Sequence, residues 1–479
     1  MLNLRGETEI QVTDSGETSD PRDREIAELK ARVADLERQL AQTLRKLEES
    51  HRAQKRQAAP FSKGAPNPDP KPPGRKAGPN YGLHAHRGAP REIDQVIPVP
   101  LPSSCTDCGG DLEPLETVCQ FQEEIPRKPI LRRFDIAVGC CVRCGKRHQG
   151  RHPLQTSDAT GAAAVQLGPD AQTMVALMKN RLGLSYGDIA RGLDDFYGIS
   201  LTRGGAAQMV LRAGERVEAA YRGIQNVIRR SRVLYPDETG WKVRGLLQWL
   251  WTFVSKTATL FVIRDSRGHD VLEEILGMSW SGKMTHDGWM PYDRLLKALH
   301  QQCLQHLIRR CKGLLEVATR GAVRFPRAML NLFHGAFALR DRRDAGELSP
   351  HGLLVAIGRL EARLEGLLNW SLSNKDNLRL QNHVAKHHDE IFPFLKYPGL
   401  EGTSWPADQA SRPAIVNRKV FGGNREPSGA RAQERLASLV ATCTQRGVDI
   451  FSYLTRVLRA PPDRRDSLAC RWLGLPSPG

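Results

Sequence analysis

From Ile26 the chain repeats apolar or small residues at alternating steps of three and four: Ile26, Leu29, Val33, Leu36, Leu40, Thr43 and Leu47. On an otherwise charged helix that is the a/d seam of a coiled coil. Two readings fit it, a zipper joining copies of the chain and a lone helix packed on the body, and the zipper implies self-association. After His51 proline and glycine become too dense for helix or strand, which predicts an extended linker. Helical periodicity returns near Asp170, with segments over Tyr186–Phe196 and Thr202–Leu211 hinged at Tyr197, Gly198, Ile199 and Ser200. That pair is either a helix-turn-helix, whose second helix enters a major groove, or a plain helical hairpin.

The period then shortens. Val233–Asp237 is a short apolar run ending at a carboxylate, and after a polar turn come Leu246–Val254 and Thr259–Ile263. These predict three strands of an antiparallel meander. Asp270–Leu276 reads as helix and Gly282–Asp287 as a fourth strand, again ending at a carboxylate. His300–Cys303 fits a fifth strand leading into a helix over Leu304–Leu315. Between Lys312 and Glu401 the pattern is mostly helical, for example over Leu353–Leu368.

Length and composition sharpen this picture. A chain of 479 residues should hold two to four domains, and 40% apolar residues suffice for real cores. No apolar run reaches 18 residues and the N-terminus is polar and acidic, so neither a membrane span nor a secretory signal is expected. The net charge of +17 favours a polyanionic partner, most often nucleic acid. Between His51 and Arg91 nine Lys or Arg face one Asp, an arm suited to lie along phosphates or a solvated spacer.

Ten cysteines in so long a chain read as cytosolic thiols. Cys105 and Cys108, then Cys141 and Cys144, form two CxxC pairs 32 residues apart, each beside glycine. Two such knuckles predict a closed four-thiolate zinc site in a ribbon, which folds the module and does no chemistry. Cys140 adjoins the second pair and competes for assignment, while Cys119 reads as a buried thiol.

Aspartates at the ends of the first and fourth strands are what an RNase H-like core needs, since neighbouring strands would set Asp237 beside Asp287. Carboxylates that close need a divalent cation between them. Two Mg2+ or Mn2+ ions held this way serve phosphodiester chemistry. A single strand-end Asp would be no more than a turn residue; the pair, in this order of elements, carries the argument.

Longer stretches then become recognisable. DETGWKV at 237–243, QWLWTFVS at 248–255, SRGHDVLEEILG at 266–277, HDGWMPYD at 286–293, QCLQHLIRRCK at 302–312 and RPAIVNRKVFGGNREPSGARAQERL at 412–436 together resemble the insertion-sequence-66 family of bacterial transposases. The heptad leader, basic linker and paired CxxC module extend the likeness over most of the chain. The resemblance implies a DDE transposase with an RNase H-like fold, and places the first two metal-holding carboxylates at Asp237 and Asp287. The third falls in Thr403–Pro413 at Asp408, where the family has Glu. Ser404, Pro406 and Ser411 depart from the family pattern in the same stretch, and Glu390 and Glu401 lie outside it.

His306 and Arg309 fit an H-x-x-R pattern of the family and are phosphate candidates, or ordinary helix-surface residues. Lys419, Asn424 and Arg425 are further DNA-binding candidates, with Gly422 and Gly423 letting backbone approach the DNA. Arg340, Arg342 and Arg343 either face DNA or are solvated, and Trp241 and Trp289 either pack beside the site or stack on bases.

The expectation is thus an α+β multidomain protein. It runs as a leader over 1–21, a coiled coil over 22–57, a basic linker over 58–92, a zinc-ribbon-like module over 93–155 and a helix-turn-helix-like segment over 160–228. An RNase H-like catalytic domain follows over 229–425 with a helical insertion over about 313–400, then a helical segment over 426–479. The expected activity is metal-dependent cleavage at transposon ends and transfer of the 3'-OH strand into target DNA. The alternatives are a catalytically impaired protein that binds its DNA ends, and a nuclease without integration. Expected partners are terminal inverted repeats, target DNA, further copies of the chain and accessory proteins of the same element. The expected location is the bacterial cytoplasm, at the nucleoid when DNA is bound.

Overall fold

A computed structural model describes Glu25 and residues 28–40, 42–43, 89–123, 125, 128–161 and 166–476. The leader, the basic linker as far as residue 88, and the heptad positions Ile26 and Leu47 lie outside these. Two compact units result, residues 1–88 and 89–479.

In the first unit residues 28–40 form helix α1. Leu29, Val33, Leu36 and Leu40 are each more than half exposed on it. The a/d seam is therefore uncovered in a single chain.

The second unit begins with the cysteine pairs. Each makes a tight turn: Gly109 N–H bonds to Cys105 O and Cys105 N–H to Gly110 O, and Gly145 and Cys141 repeat the pattern with Cys141 O and Lys146 O. A ribbon of β1 (Val138–Cys140) and β2 (Arg147–Gln149) flanks the second turn. Between the two turns the described residues carry no strand up to β1, contrary to the ribbon expectation, and Leu112, Leu115, Val118 and Phe121 are exposed. Cys119 is exposed too, not buried, because there is no core here to take it.

Four helices follow: α2 (Pro169–Asn180), α3 (Tyr186–Tyr197), α4 (Arg203–Arg216) and α5 (Glu218–Arg229). The α3–α4 hinge has local causes. Gly198 ends α3 in the left-handed region at φ 64°, and the Thr202 side chain accepts the Gly205 N–H to start α4. Helix α4 buries Ala206, Met209, Val210, Ala213 and Gly214, leaving Arg203, Gln208 and Arg212 outside.

A five-stranded sheet is the centre of the unit: β3 (Val233–Val243), β4 (Leu246–Val254), β5 (Thr259–Arg264), then helix α6 (His269–Ile275), β6 (Lys283–His286) and β7 (Leu299–Gln302). The strand order is β5-β4-β3-β6-β7, with β3–β4 and β4–β5 antiparallel and β3–β6 and β6–β7 parallel. Strand β3 is longer than its apolar run suggests. It continues through Asp237 to a tight turn at Arg244 (φ 55°) and Gly245 (φ 79°), so Asp237 lies inside the strand rather than at its end. The nine-residue pairing with apolar β4 draws the polar stretch into the ladder.

Helices α7 (Leu304–Val317), α8 (Arg324–Asp344), α9 (Pro350–Leu368), α10 (Lys375–Lys386) and the short α11 (Pro393–Lys396) make a core of their own around Phe325, Leu332, Phe333, Leu364 and Phe394. The chain then returns as α12 (Trp405–Phe421), α13 (Pro427–Gln445), α14 (Ile450–Arg459) and α15 (Pro462–Trp472). Helix α13 closes the outer strand. Its Glu434, Ser438 and Thr442, one turn apart, accept the N–H groups of Ile263, Phe261 and Thr259, donors that a strand edge would otherwise leave unpaired. Residues of α2–α5, the sheet and α13–α15 join in a single core, so the segments 160–228 and 426–479 are not separate bodies. Among the described residues no helix is long and apolar enough to cross a membrane.

Candidate active site

Strand register builds the site. Val233 pairs with Lys283 and Leu234 with Met284. Carried on, the same register sets Asp237 level with Asp287, just beyond the end of β6. Strand β7 continues the row: His286 pairs with Gln302, so Cys303 comes level with Asp287. Because strand side chains alternate, Asp237, Asp287 and Cys303 share one face, and Tyr235, Thr285 and Gln301 form the row behind them.

Helix α12 carries Asp408, the expected third carboxylate. It lies along β3 through small residues, Ala407 against Tyr235 and Ala414 against Trp241 and Val243. Its far end is held by the Arg418 guanidinium, which donates to Gly240 O and Thr239 Oγ1 of β3. Asp408 occupies the first turn on the exposed side. Pro406 is in that first turn too, where its missing N–H costs no helical bond.

The electrostatics follow from this crowding. Burial, then the charges of Glu238, Asp408 and Asp287, push the Asp237 carboxyl up to about 7, against a pull from His306. A group in this position lacks positive charge. Oxygen donors of this kind suit a hard divalent cation such as Mg2+ or Mn2+. Among the described residues, however, no three His, Cys, Asp or Glu side chains stand close enough together to hold a metal ion. The three carboxylates thus share one field without forming a closed cage.

The same finding applies to Cys105, Cys108, Cys141 and Cys144, which are not gathered into one cluster. Each pair is nevertheless ligand-like: backbone N–H groups of Asp107 and Cys108 lower the Cys105 thiol, and those of Cys144 and Arg143 lower Cys141. The thiolates suit zinc chemically.

His306 sits one strand over, on α7, beside the buried Cys303 thiol. Hydrogen bonding to Cys303 raises its pKa, against the effect of burial. Arg309 lies almost one turn further along α7 and is exposed. Arg425 is exposed and Lys419 half-buried near the end of α12.

Asn424 has other work. Its Oδ1 accepts the Trp241 Nε1–H at 2.7 Å, and its backbone pairs with Lys242 and Arg244 as an extension of β3. Gly423, at φ 119°, is required by β3 rather than by DNA: a Cβ there would stand 2.2 Å from Lys242 O. Trp241 is fully buried, a packing residue. Arg343 is mostly buried and donates to Phe394 O and Leu395 O, Arg340 pairs with Asp341, and Arg342 pairs with Glu347. Arg343 is thus internal bracing, while the Arg342–Glu347 pair is exposed. Glu390 is bound by His387 and Gln302, and burial notwithstanding these bonds hold it down at about 2.

Several residues escaped the sequence reading. Glu238, next to Asp237 but on the opposite face, is buried, paired with Arg267 at 2.7 Å and bonded to Tyr292 Oη at 2.7 Å. Arg267 in turn stacks between Trp249 and Trp289, 4.7 and 4.1 Å from the rings. Trp289 N–H caps Asp287 Oδ1 at 2.9 Å, so this second network steadies the Asp287 turn. His286 is fully buried: its Nδ1 accepts the Gly288 N–H, which leaves Nε2 to donate to His300 Nδ1 at 2.9 Å. Only the alternation of faces along β3 could have flagged Glu238 in advance.

The chain is similar to an uncharacterized protein, y4qI, of Sinorhizobium fredii, 23% identical over 425 residues, covering 81% of this chain and 75% of that one. Residues 164–432, which include all three aspartates of the site, match the transposase IS66 family. The protein belongs to that family of transposases.

Proposed function

We propose that the protein is a DDE-type transposase that hydrolyses the ends of its own element and transfers the freed 3'-OH strand into target DNA. One observation carries the reading: the β3–β6 register, carried just past β6, brings Asp287 level with Asp237, whose carboxyl is pushed up to about 7 by burial and then by the charges of Glu238, Asp408 and Asp287. The sheet order also suits an RNase H-like core. Asp237, Asp287 and Asp408 would hold Mg2+ or Mn2+. When bound, such ions lower the pKa of a water or 3'-hydroxyl and stabilise the leaving oxygen.

The chain's own residues do the rest. The carboxylates would fix the ions in place, and His306 and Arg309 would bind phosphate beside them, with Arg425 and Lys419 further out along the DNA. Water and then the 3'-OH are the nucleophiles, so no covalent enzyme intermediate is required. The two cysteine turns would be drawn together by structural zinc. The exposed heptad seam of α1 would pair copies of the chain, as synapsis of two element ends requires, and the protein would act in the cytoplasm on nucleoid DNA.

A second reading, an end-binding protein with impaired cleavage, is favoured by the shorter acid at Asp408. Strand cleavage on a labelled duplex carrying the element's terminal repeat, with Mg2+ or Mn2+, separates them. Metal-dependent nicking that Asp237→Asn abolishes supports the transposase. Binding of the repeat by both proteins with nicking by neither supports the end-binder.

A further inference from the structure

The segment that returns from the helical insertion, residues 391–404, is fastened to three parallel strands at once. Tyr235 of β3 donates its Oη–H to Gly399 O at 3.2 Å and accepts the Glu401 N–H at 3.1 Å. Thr285 of β6 donates to Glu401 O at 2.7 Å. Gln301 of β7 donates to Ile391 O at 3.0 Å and accepts the Phe394 N–H at 2.9 Å. Beyond β7 the Cys303 Sγ accepts both the N–H and the Oγ–H of Ser404, each at 3.2 Å, while Leu304 N–H bonds to Gly402 O. Thr285 and Gln301 have no exposed surface at all, and Cys303, Ser404 and Tyr235 are almost as deeply buried.

Polar side chains in the interior of a sheet are costly unless they serve a structural purpose. Here they occupy two adjacent rows on one face. The rear row, Tyr235, Thr285 and Gln301, lies two residues behind the front row of Asp237, Asp287 and Cys303. Every member of the rear row, and Cys303 in front, bonds to the segment leading directly into α12. Ser404 starts that helix, and its carbonyl accepts the N–H groups of Ala407 and Asp408. A displacement of the loop therefore moves the third carboxylate.

We propose that Tyr235, Thr285, Gln301 and Cys303 are positioning residues that fix Asp408 relative to Asp237 and Asp287, so that metal affinity is set by a loop latch on the rear row of the strands. The proposal rests on the reading of Asp408 as a metal ligand. It also assigns the insertion a mechanical connection to the site: its last segment is the latched one. Outer residues that hold a ligand in place commonly affect metal affinity by about 10–100-fold.

The test is a double-mutant cycle on the full chain, read by calorimetric Mn2+ binding without DNA. Thr285→Val and Tyr235→Phe each remove one hydroxyl while keeping the shape, and Thr285→Ser restores it. Thr285→Val is expected to weaken Mn2+ binding roughly 10-fold and to lower the melting temperature modestly, with repeat binding little changed and with Thr285→Ser returning both towards the natural values. In the Asp408→Asn background the same change should have almost no further effect, because its route to the metal is already gone. An equal loss in both backgrounds, or no loss in the natural one, overturns the latch. If Asp408→Asn itself leaves Mn2+ affinity unchanged, the ligand reading fails instead, and the latch with it.

Discussion

Asp237 comes level with Asp287 when the register that pairs Leu234 with Met284 is carried along β3 and just past the end of β6. Nothing in β3 itself makes Asp237 special. It is an acid in the middle of a strand whose neighbour Glu238, one residue on, is neutralised on the other side of the sheet.

Glu238 and Asp237 should therefore behave differently on mutation. Glu238→Gln breaks a buried ion pair with Arg267 and is expected to destabilise the fold by about 2–4 kcal/mol, seen as a fall in denaturation midpoint. At temperatures where the variant is folded, its Mn2+ affinity should fall less than that of Asp237→Asn.

Asp408→Glu restores the reach that the family's residue has at this position. The extra methylene lengthens the reach of the carboxylate, and displacements near 1 Å can change rates by about 100-fold. Cleavage of a terminal-repeat duplex is expected to speed up in this variant and to vanish in Asp408→Asn, as measured by single-turnover kinetics.

Lys179 gives a pH signature outside the site. Its ammonium is buried between Phe421, 3.4 Å from the ring, and Tyr186 at 4.8 Å, and burial lowers its pKa to about 8. The unfolded chain keeps that proton up to the ordinary lysine range. Between about pH 8 and 10 the unfolded state therefore binds more protons, and stability from this group rises with pH. Melting temperatures of the natural protein should climb relative to Lys179→Met from pH 7.5 to 9.5, reading out the group by difference.

The two adjacent glycines should separate sharply. Gly422, at φ 76°, has open space where a Cβ would point, so Gly422→Ala pays only for a left-handed backbone, about 1–2 kcal/mol. Gly423→Ala drives a Cβ into the Lys242 carbonyl as well, and its denaturation midpoint should fall further.

The meander, the hinge at Gly198 and the long helices were legible because each leaves a local trace, a period or a left-handed glycine. Long-range pairing left none. Asn424 and Gly423 looked like DNA contacts since a glycine pair with Asn and Arg suits that role, yet β3 claims them through Trp241 and Lys242. The latch of Tyr235, Thr285, Gln301 and Cys303 was invisible because its partners are backbone groups 90 to 166 residues away. Nothing local marks Glu434, Ser438 and Thr442 as the cover of the open edge of β5.

The central claim is that Asp237, Asp287 and Asp408 hold one divalent-ion site, and iron-directed hydroxyl-radical cleavage of the protein tests it most directly. Fe2+ with ascorbate cuts the backbone only close to where the ion is bound. The account predicts cuts near all three aspartates in the natural protein, suppressed by Mg2+ and lost in Asp237→Asn. Cutting confined to other segments, or cuts at these positions that Mg2+ and Asp237→Asn leave untouched, would contradict it.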